Sequence, residues 1–295
     1  MRRRPDPERM GDLRLRLLES VDEAELRAAI RTHQQALLSR GPEVVLARPW
    51  RSVTRVPVGS QSYAIKEYRH NALRKLAALF PGGARADAAN RGHELLGSAR
   101  LSRARLSALG MEYEAGLPSV SYAITRWVEG IGLRDAFREV GRDAGPGPRP
   151  SWIRLTRLCL DYLTAMHAAG LTMDDFHTPN FVGESGDDGG LAIITMVDFD
   201  TVRRVRLTWE HRLYNLFTLR RSFGKDLSED GLRFLRDTYL DHLGIPHDSD
   251  LGAALLSSLR PFIPRAAGRR HVVQAARDLE RIARSGQAAA RERIP

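Results

Sequence analysis

Residues 171–200 read LTMDDFHTPNFVGESGDDGGLAIITMVDFD, and how the rest of the chain is read depends on this stretch. It follows Met166-His167-Ala168-Ala169-Gly170, the end of an apolar-periodic helical segment for which Gly170 is a natural stop. Asp175 and Asn180 then stand five positions apart around a short Pro-containing loop. Phe181-Val182 opens a short strand, GESGDDGG is a polar turn, and LAIITMV is a second, apolar strand that ends on Asp198-Phe199-Asp200. A carboxylate at the end of a buried strand suits a hard divalent cation. Taken singly, an Asp/Asn/Pro-rich stretch is an ordinary turn and an acidic pair an ordinary solvated one. Helix, loop, strand, turn and strand in succession make the two motifs support each other.

Upstream, EVVLARPW, RSVTRVPV and SYAIKEY (residues 43–50, 51–58 and 62–68) are short runs rich in β-branched and aromatic residues, with Gly59-Ser60 as a turn. They predict a small antiparallel sheet. Two further strands are expected near Met111–Tyr113 and in SVSYAITRWV, residues 119–128. Helices are expected over about 12–38, from Leu13, Leu15, Leu17, Leu18, Val21, Leu26 and Ile30, and over about 84–109, from Leu95, Leu101, Leu106 and Leu109. Beyond residue 128 the pattern is mostly helical. There is a short helix over Leu133–Val140, a Gly/Pro-rich break in RDAGPGPRPS, an amphipathic helix over Trp152–Ala169, and helices from about Trp209 onward with loops near Gly244–Asp250. Strand-rich first and helix-rich second spells an α+β chain. The expected division is a helical extension over 1–40, a small antiparallel-sheet lobe over 41–128, and a mainly helical lobe over 129–295.

Composition narrows the function classes. With 42% hydrophobic residues the 295-residue chain buries a core. No apolar run approaches the roughly eighteen residues a membrane span needs. The basic N-terminus has no apolar core or cleavage site of a secretory signal. The single cysteine, Cys159, excludes an internal disulfide framework, suits a cytoplasmic location, and reads as a buried structural thiol. The net charge of +10 is spread along the chain without a basic run, so nucleic acid is not expected as a partner, whereas anionic phosphates and membrane surfaces are compatible. No zinc-ligand spacing, Walker A or G-x-S-x-G pattern occurs.

The chemistry these residue types fit is phosphoryl transfer from ATP. That reaction needs a cation on the phosphates, oxygen ligands for Mg²⁺, and a carboxylate to orient and deprotonate the attacking hydroxyl. The chain supplies them in order. Lys66, in YAIKEY, is one of only three lysines in an arginine-rich chain, a placement that favours a compact ammonium over a guanidinium fork. Glu94, on the next helix, is its candidate partner. Asp175 is the candidate base; Asn180 and Asp198 are the candidate metal ligands, with Asp200 a further one. Pro49–Val58 holds no glycine-rich phosphate loop, and Ser52 and Thr54 are the candidate phosphate contacts in its place. His167 reads as a packing histidine at a helix C-terminus and His177 as a prop of its loop.

RSVTRV with YAIKEYRH, then MHAAGLTMDDFHTPNFV, then VDFDTVRRV, and finally HRLYNLFTLRRSF with LRFLRDTYL resemble the lipopolysaccharide core kinases, the Kdo/heptose kinase family within the protein-kinase-like fold. The resemblance runs in order over residues 45 to 245. It implies a two-lobed kinase-like fold, Asp175 as base, Asn180 and Asp198 on Mg²⁺, Lys66 on the ATP phosphates, and a sugar or lipid-linked sugar acceptor at the inner membrane surface. Met173-Asp174 stands where His-Arg precedes the base in protein kinases, and Asp200 replaces the glycine of Asp-Phe-Gly. A small-molecule kinase of the aminoglycoside or choline type, and a pseudokinase scaffold, are the alternative readings.

Overall fold

The computed structural model describes residues 12–142, 150–186, 190–224, 227–262 and 265–291. Most of the Gly/Pro-rich break and part of the GESGDDGG turn lie outside the described residues. The chain divides into two units. The first holds the described residues up to Ser98, Ser102–Val128 and the short piece Asp198–Thr201; the second holds Ala99–Leu101, Glu129–Val197 and the described residues from Val202 onward.

The first unit contains β1 (Asp12–Leu17), α1 (Glu23–Ser39), β2 (Val44–Arg48), β3 (Arg51–Val58), β4 (Gln61–Arg69), α2 (Ala72–Ala77), α3 (Arg85–Ser98), β5 (Leu106–Glu114) and β6 (Leu117–Arg126). Its strands form one antiparallel sheet in the order β1-β5-β6-β4-β3-β2. Asp22 caps α1 by accepting from Ala24 N at 2.8 Å, and Glu23 and Glu25 in the first turn favour its dipole. Leu26, Ala29 and Ile30 of α1 pack with Val56, Tyr63, Ile65, Tyr122 and Ile124 of the sheet, all buried. Each large side chain removed from water there contributes about 1.5–3 kcal/mol before chain entropy is charged against it.

Two sequence expectations are corrected in this unit. Residues 12–17 are a strand, not the start of a helix. Leu13 and Leu15 alternate with Arg14 and Arg16, and β1 takes up its full backbone pairing from Asp12↔Tyr113 to Leu17↔Ala108. Residues 12–39 are therefore no separate helical extension, because β1 forms an edge of the sheet and α1 covers one face. The helix expected over 84–109 stops at Ser98. Arg100 adopts φ 58°, and Leu106 begins β5, hydrogen-bonded to β1 on one side and β6 on the other. Two ladders outweigh the helical spacing of the leucines.

The second unit contains β7 (Ile131–Gly132), α4 (Leu133–Arg142), α5 (Pro150–Ala168), β8 (Leu171–Thr172), β9 (Phe181–Ser185), β10 (Leu191–Met196), β11 (Arg203–Arg204), α6 (Trp209–Ser222), α7 (Glu229–Leu243), α8 (Asp250–Leu259) and α9 (Arg265–Arg291). β9 pairs with β10 and β7, and β8 pairs with β11. Leu160, Leu163, Met166, Leu213, Leu216, Leu235, Leu255 and Leu279 are fully buried among these helices. Cys159 is buried too, and burial pushes its thiol up, as suits a structural residue. Among the described residues no helix is long and apolar enough to cross a membrane.

Candidate functional site

Sheet register decides what Lys66 meets. β3 and β4 pair Arg51↔Tyr68, Ser52↔Glu67, Val53↔Lys66 and Thr54↔Ile65. Alternation then sorts Arg51, Val53, Lys66 and Tyr68 to one face and Ser52, Thr54, Ile65 and Glu67 to the face covered by α1. On the second face His33 of α1 bonds Thr54 Oγ1 at 2.8 Å and Glu67 Oε2 at 3.3 Å, all buried. The expectation that Ser52 and Thr54 contact phosphates is thereby corrected, since both side chains are buried against α1, on the face opposite Lys66.

Lys66 shares its face with the Asp198–Thr201 piece. Lys66 Nζ lies 3.2 Å from Asp198 Oδ1, and Arg51 Nη2 lies 2.5 Å from Asp198 Oδ2. Lys66 Nζ also stands 5.4 Å from the centre of the Phe199 ring, and Phe199 packs on His93, whose Nε2 donates to Ala104 O at 3.0 Å. The buried Phe199 side chain thus anchors the two flanking carboxylates to the sheet unit. Burial pushes the Asp198 carboxyl up, but Lys66 and Arg51 outweigh it and hold the group well below its usual range. Asp200 goes the other way. Burial first, and then the charge of Asp198, raise it to about 6, with Arg85 Nη1 at 3.9 Å its nearest cation. Glu94 is exposed on α3 and accepts from Asn90 Nδ2 at 2.7 Å, so the carboxylate paired with Lys66 in this unit is Asp198.

The Asp175–Asn180 loop is built into the second unit. α5 ends before Gly170 at φ 70°, where an L side chain is strained, and β8 feeds straight into the loop. Asn180 Nδ2 donates to Asp175 O at 2.8 Å, Asn180 N to His177 O at 3.0 Å, and Val197 N to Asn180 O at 2.9 Å. Phe176 and Phe181, both buried, meet edge to face with ring centres 5.1 Å apart. With its amide nitrogen committed to Asp175 O, Asn180 keeps its amide oxygen as the atom able to ligate a cation. Asp174, the neighbour of the candidate base, makes a two-pronged pair with Arg203.

Beneath the loop lies a buried network that sequence reasoning missed. Asn215 Nδ2 donates to Met173 O, and its Oδ1 accepts from Thr172 Oγ1 at 2.9 Å and from His167 Nε2 at 3.1 Å. That leaves His167 Nδ1 to accept from Tyr239 Oη at 2.9 Å. Burial pushes His167 down to about 4, so it is neutral, with its proton on Nε2. Only the packing reading of His167 was legible; its partners lie 48 and 72 residues away. His177 was expected to prop the loop, yet its buried Nδ1 has no hydrogen-bond partner. Arg51 was missed as well. Its signal was its place two residues before Val53 on β3, which becomes informative only once the β3–β4 register is known.

Asp175 stands in the wall of a cavity of about 520 Å³ in the second unit, with α4, α5 and α6 supplying most of the rest. Mg²⁺ takes hard oxygen ligands, commonly one or two carboxylates completed by substrate phosphates and water. Asp198, Asp200 and the Asn180 amide oxygen are of that type, and the depressed Asp198 is ionised at neutral pH. Among the described residues no group of three or more His, Cys, Asp or Glu converges on one point.

Among solved structures, WaaP in complex with acyl carrier protein is similar to this chain, with a TM-score of 0.52 and 20% sequence identity over 91% of this chain and 99% of that one. No family model and no curated protein matches the chain. The likeness shows the fold. The α+β chain, with its small antiparallel-sheet unit and mainly helical unit, has the kinase-like fold of WaaP, as the sequence resemblance implied.

Proposed function

We propose that this chain is an ATP- and Mg²⁺-dependent phosphotransferase whose acceptor is a sugar hydroxyl, of lipopolysaccharide core or a related glycoconjugate. The observation that carries the reading is the Lys66–Asp198 pair, held on one face of the sheet unit in a chain with the WaaP fold. Lys66 holds the ATP phosphates. Asp198, Asn180 and Asp200 are the residues that hold Mg²⁺, which when bound neutralises the phosphate charge. Asp175 orients the acceptor hydroxyl and takes its proton as the oxygen bonds to the γ-phosphorus and the bond to the β,γ-bridging oxygen breaks, releasing ADP. Arg203 keeps Asp174 occupied. Asn215 fixes the backbone at Met173 and so the approach of the loop.

One observation favours a second reading, that of a binding scaffold without turnover. Arg51 as well as Lys66 sits on Asp198, so two cations already neutralise the metal carboxylate, and Mg²⁺ has to displace one of them. Calorimetric titration with Mg-ATP, followed by transfer of labelled γ-phosphate to sugar acceptors, separates the two. Binding with transfer supports the phosphotransferase; binding without transfer to any hydroxyl acceptor supports the scaffold.

A further inference from the structure

Tyr68 of β4 is buried, and its hydroxyl has no hydrogen-bond partner among the described residues. Leaving such a group unpaired costs free energy that phenylalanine, which fills nearly the same space, would not incur. The surroundings of the phenol supply an acceptor for it. The β3–β4 register sets Tyr68 directly opposite Arg51, on the face that carries Lys66. Two arginines flank the ring, one on each of the two carboxylates that Lys66 and Phe199 hold near it. Arg51 Nη2 binds Asp198 Oδ2 at 2.5 Å. The Arg85 guanidinium lies 6.0 Å from the centre of the Tyr68 ring and 3.9 Å from Asp200 Oδ2. Burial first, and then the charges of Asp200 and Asp198, raise the phenol well above its ordinary range, so it keeps its proton and stays a donor.

The two carboxylates differ in how they are held. Both oxygens of Asp198 are taken, one by Lys66 and one by Arg51. Asp200 is equally buried, yet among the described residues it accepts no hydrogen bond and has only Arg85, at the edge of ion-pair range. A buried hydroxyl without an acceptor and a buried carboxylate without a donor therefore stand in one charge cluster, with Arg85 beside both. In a phosphotransferase that holds Mg²⁺ on Asp198 and Asp200, the reading on which this inference rests, each carboxylate has to offer an oxygen to the ion and be kept from turning. Lys66 and Arg51 do this for Asp198. We propose that Tyr68 does it for Asp200: its hydroxyl donates to one oxygen of that carboxylate and so presents the other to the ion. Hydrogen bonds from a hydroxyl to an ionised carboxylate are among the stronger ones. Tyr68 is a positioning residue of the cation site, and takes no part in bond making.

Tyr68→Phe removes the hydroxyl and little else, and it separates a positioning role from a packing one. The full chain is titrated with ATP by calorimetry over a series of Mg²⁺ concentrations and in EDTA, and is unfolded in urea without either. The expected variant unfolds at the same urea concentration as wild type or a higher one. It matches wild type toward ATP in EDTA, but needs about tenfold more Mg²⁺ for half-maximal ATP binding. In an Asp200→Ala background the same substitution should change the Mg²⁺ requirement by less than about twofold, because the hydroxyl acts through that carboxylate. A lower unfolding midpoint, or an equal loss of ATP binding with and without Mg²⁺, would make Tyr68 a packing residue and overturn the proposal. So would an unchanged Mg²⁺ requirement, or a tenfold loss that persists beside Asp200→Ala. Each of these outcomes leaves the phosphotransferase reading standing provided the wild-type chain binds Mg-ATP. A wild-type chain that binds ATP at no Mg²⁺ concentration removes that reading, and this proposal with it.

Discussion

Replacing Asp198 by alanine removes the one carboxylate that two cations share on the first face of the sheet. Lys66 and Asp198 are both largely buried, with side chains 7% and 9% exposed, and Arg51 is partly so. Removing one member of a buried pair leaves an uncompensated charge and typically costs about 3–5 kcal/mol. Arg51 has enough exposure to swing toward water, whereas Lys66 does not, so the expected loss lies toward the low end, about 3 kcal/mol. Phe199 keeps its packing on His93, which confines the damage to the charge. Chemical denaturation followed by a probe of the sheet unit measures the loss. Lys66→Met combined with Asp198→Ala removes both members of the pair, so the double variant should recover at least about 1 kcal/mol relative to the sum of the singles. A loss under about 0.5 kcal/mol for Asp198→Ala, or strict additivity in the cycle, would refute the claim that this pair is buried and mutually dependent.

Asp175→Asn keeps shape but loses basicity, so kcat should fall about a hundredfold or more with Mg-ATP affinity nearly unchanged, whereas Asp174→Asn gives up only the exposed Arg203 pair and should be mild; steady-state kinetics with the nucleotide varied decides, and the reverse ranking sinks the assignment. Lys66→Arg keeps the charge but not the compact head beside Phe199, and should cost most of the ATP-dependent transfer; an unchanged rate would make Lys66 structural. His167 is neutral when folded, at about 4, against about 6.5 when unfolded, so the unfolded chain binds more protons between those values. Its contribution is complete above about pH 6.5 and is lost as pH falls toward 4, by about 3 kcal/mol in all. Urea denaturation at pH 7 and pH 4.5 should show this slope flattened in His167→Gln, and identical slopes would exclude it.

The Asp175–Asn180 region is the most legible part of the chain, because its helix, loop and hairpin are short-range patterns. Gly170, Asp175, Asn180 and Asp198 fall where local turn and strand signals place them. The errors arose where the answer lies in long-range pairing. Leu13-Arg14-Leu15-Arg16 has the period of a strand, but leucines and charges before a true helix pulled it into that helix. Only the ladder to Met111 and Leu109 settles it. Pairing with Thr125 of β6 took Leu106 from α3. Ser52 and Thr54 looked like phosphate contacts because polar groups on a strand are candidates until the strand's faces are known, and α1 sets those faces. Asn215 and Tyr239, which hold His167 and the loop, have no local signature at all, since their meaning exists only in the packed second unit.

The most direct measurement is transfer of label from γ-labelled ATP, with Mg²⁺ present, to lipopolysaccharide core oligosaccharide or another sugar acceptor, with Asp175→Asn as the paired control. The expected result is a phosphorylated product formed by the wild-type chain, lost on chelation of the metal and reduced about a hundredfold or more in the variant. A wild-type chain that binds Mg-ATP yet labels no hydroxyl acceptor, or a variant that labels as fast as wild type, would contradict the assignment of this chain as a phosphotransferase acting through Asp175.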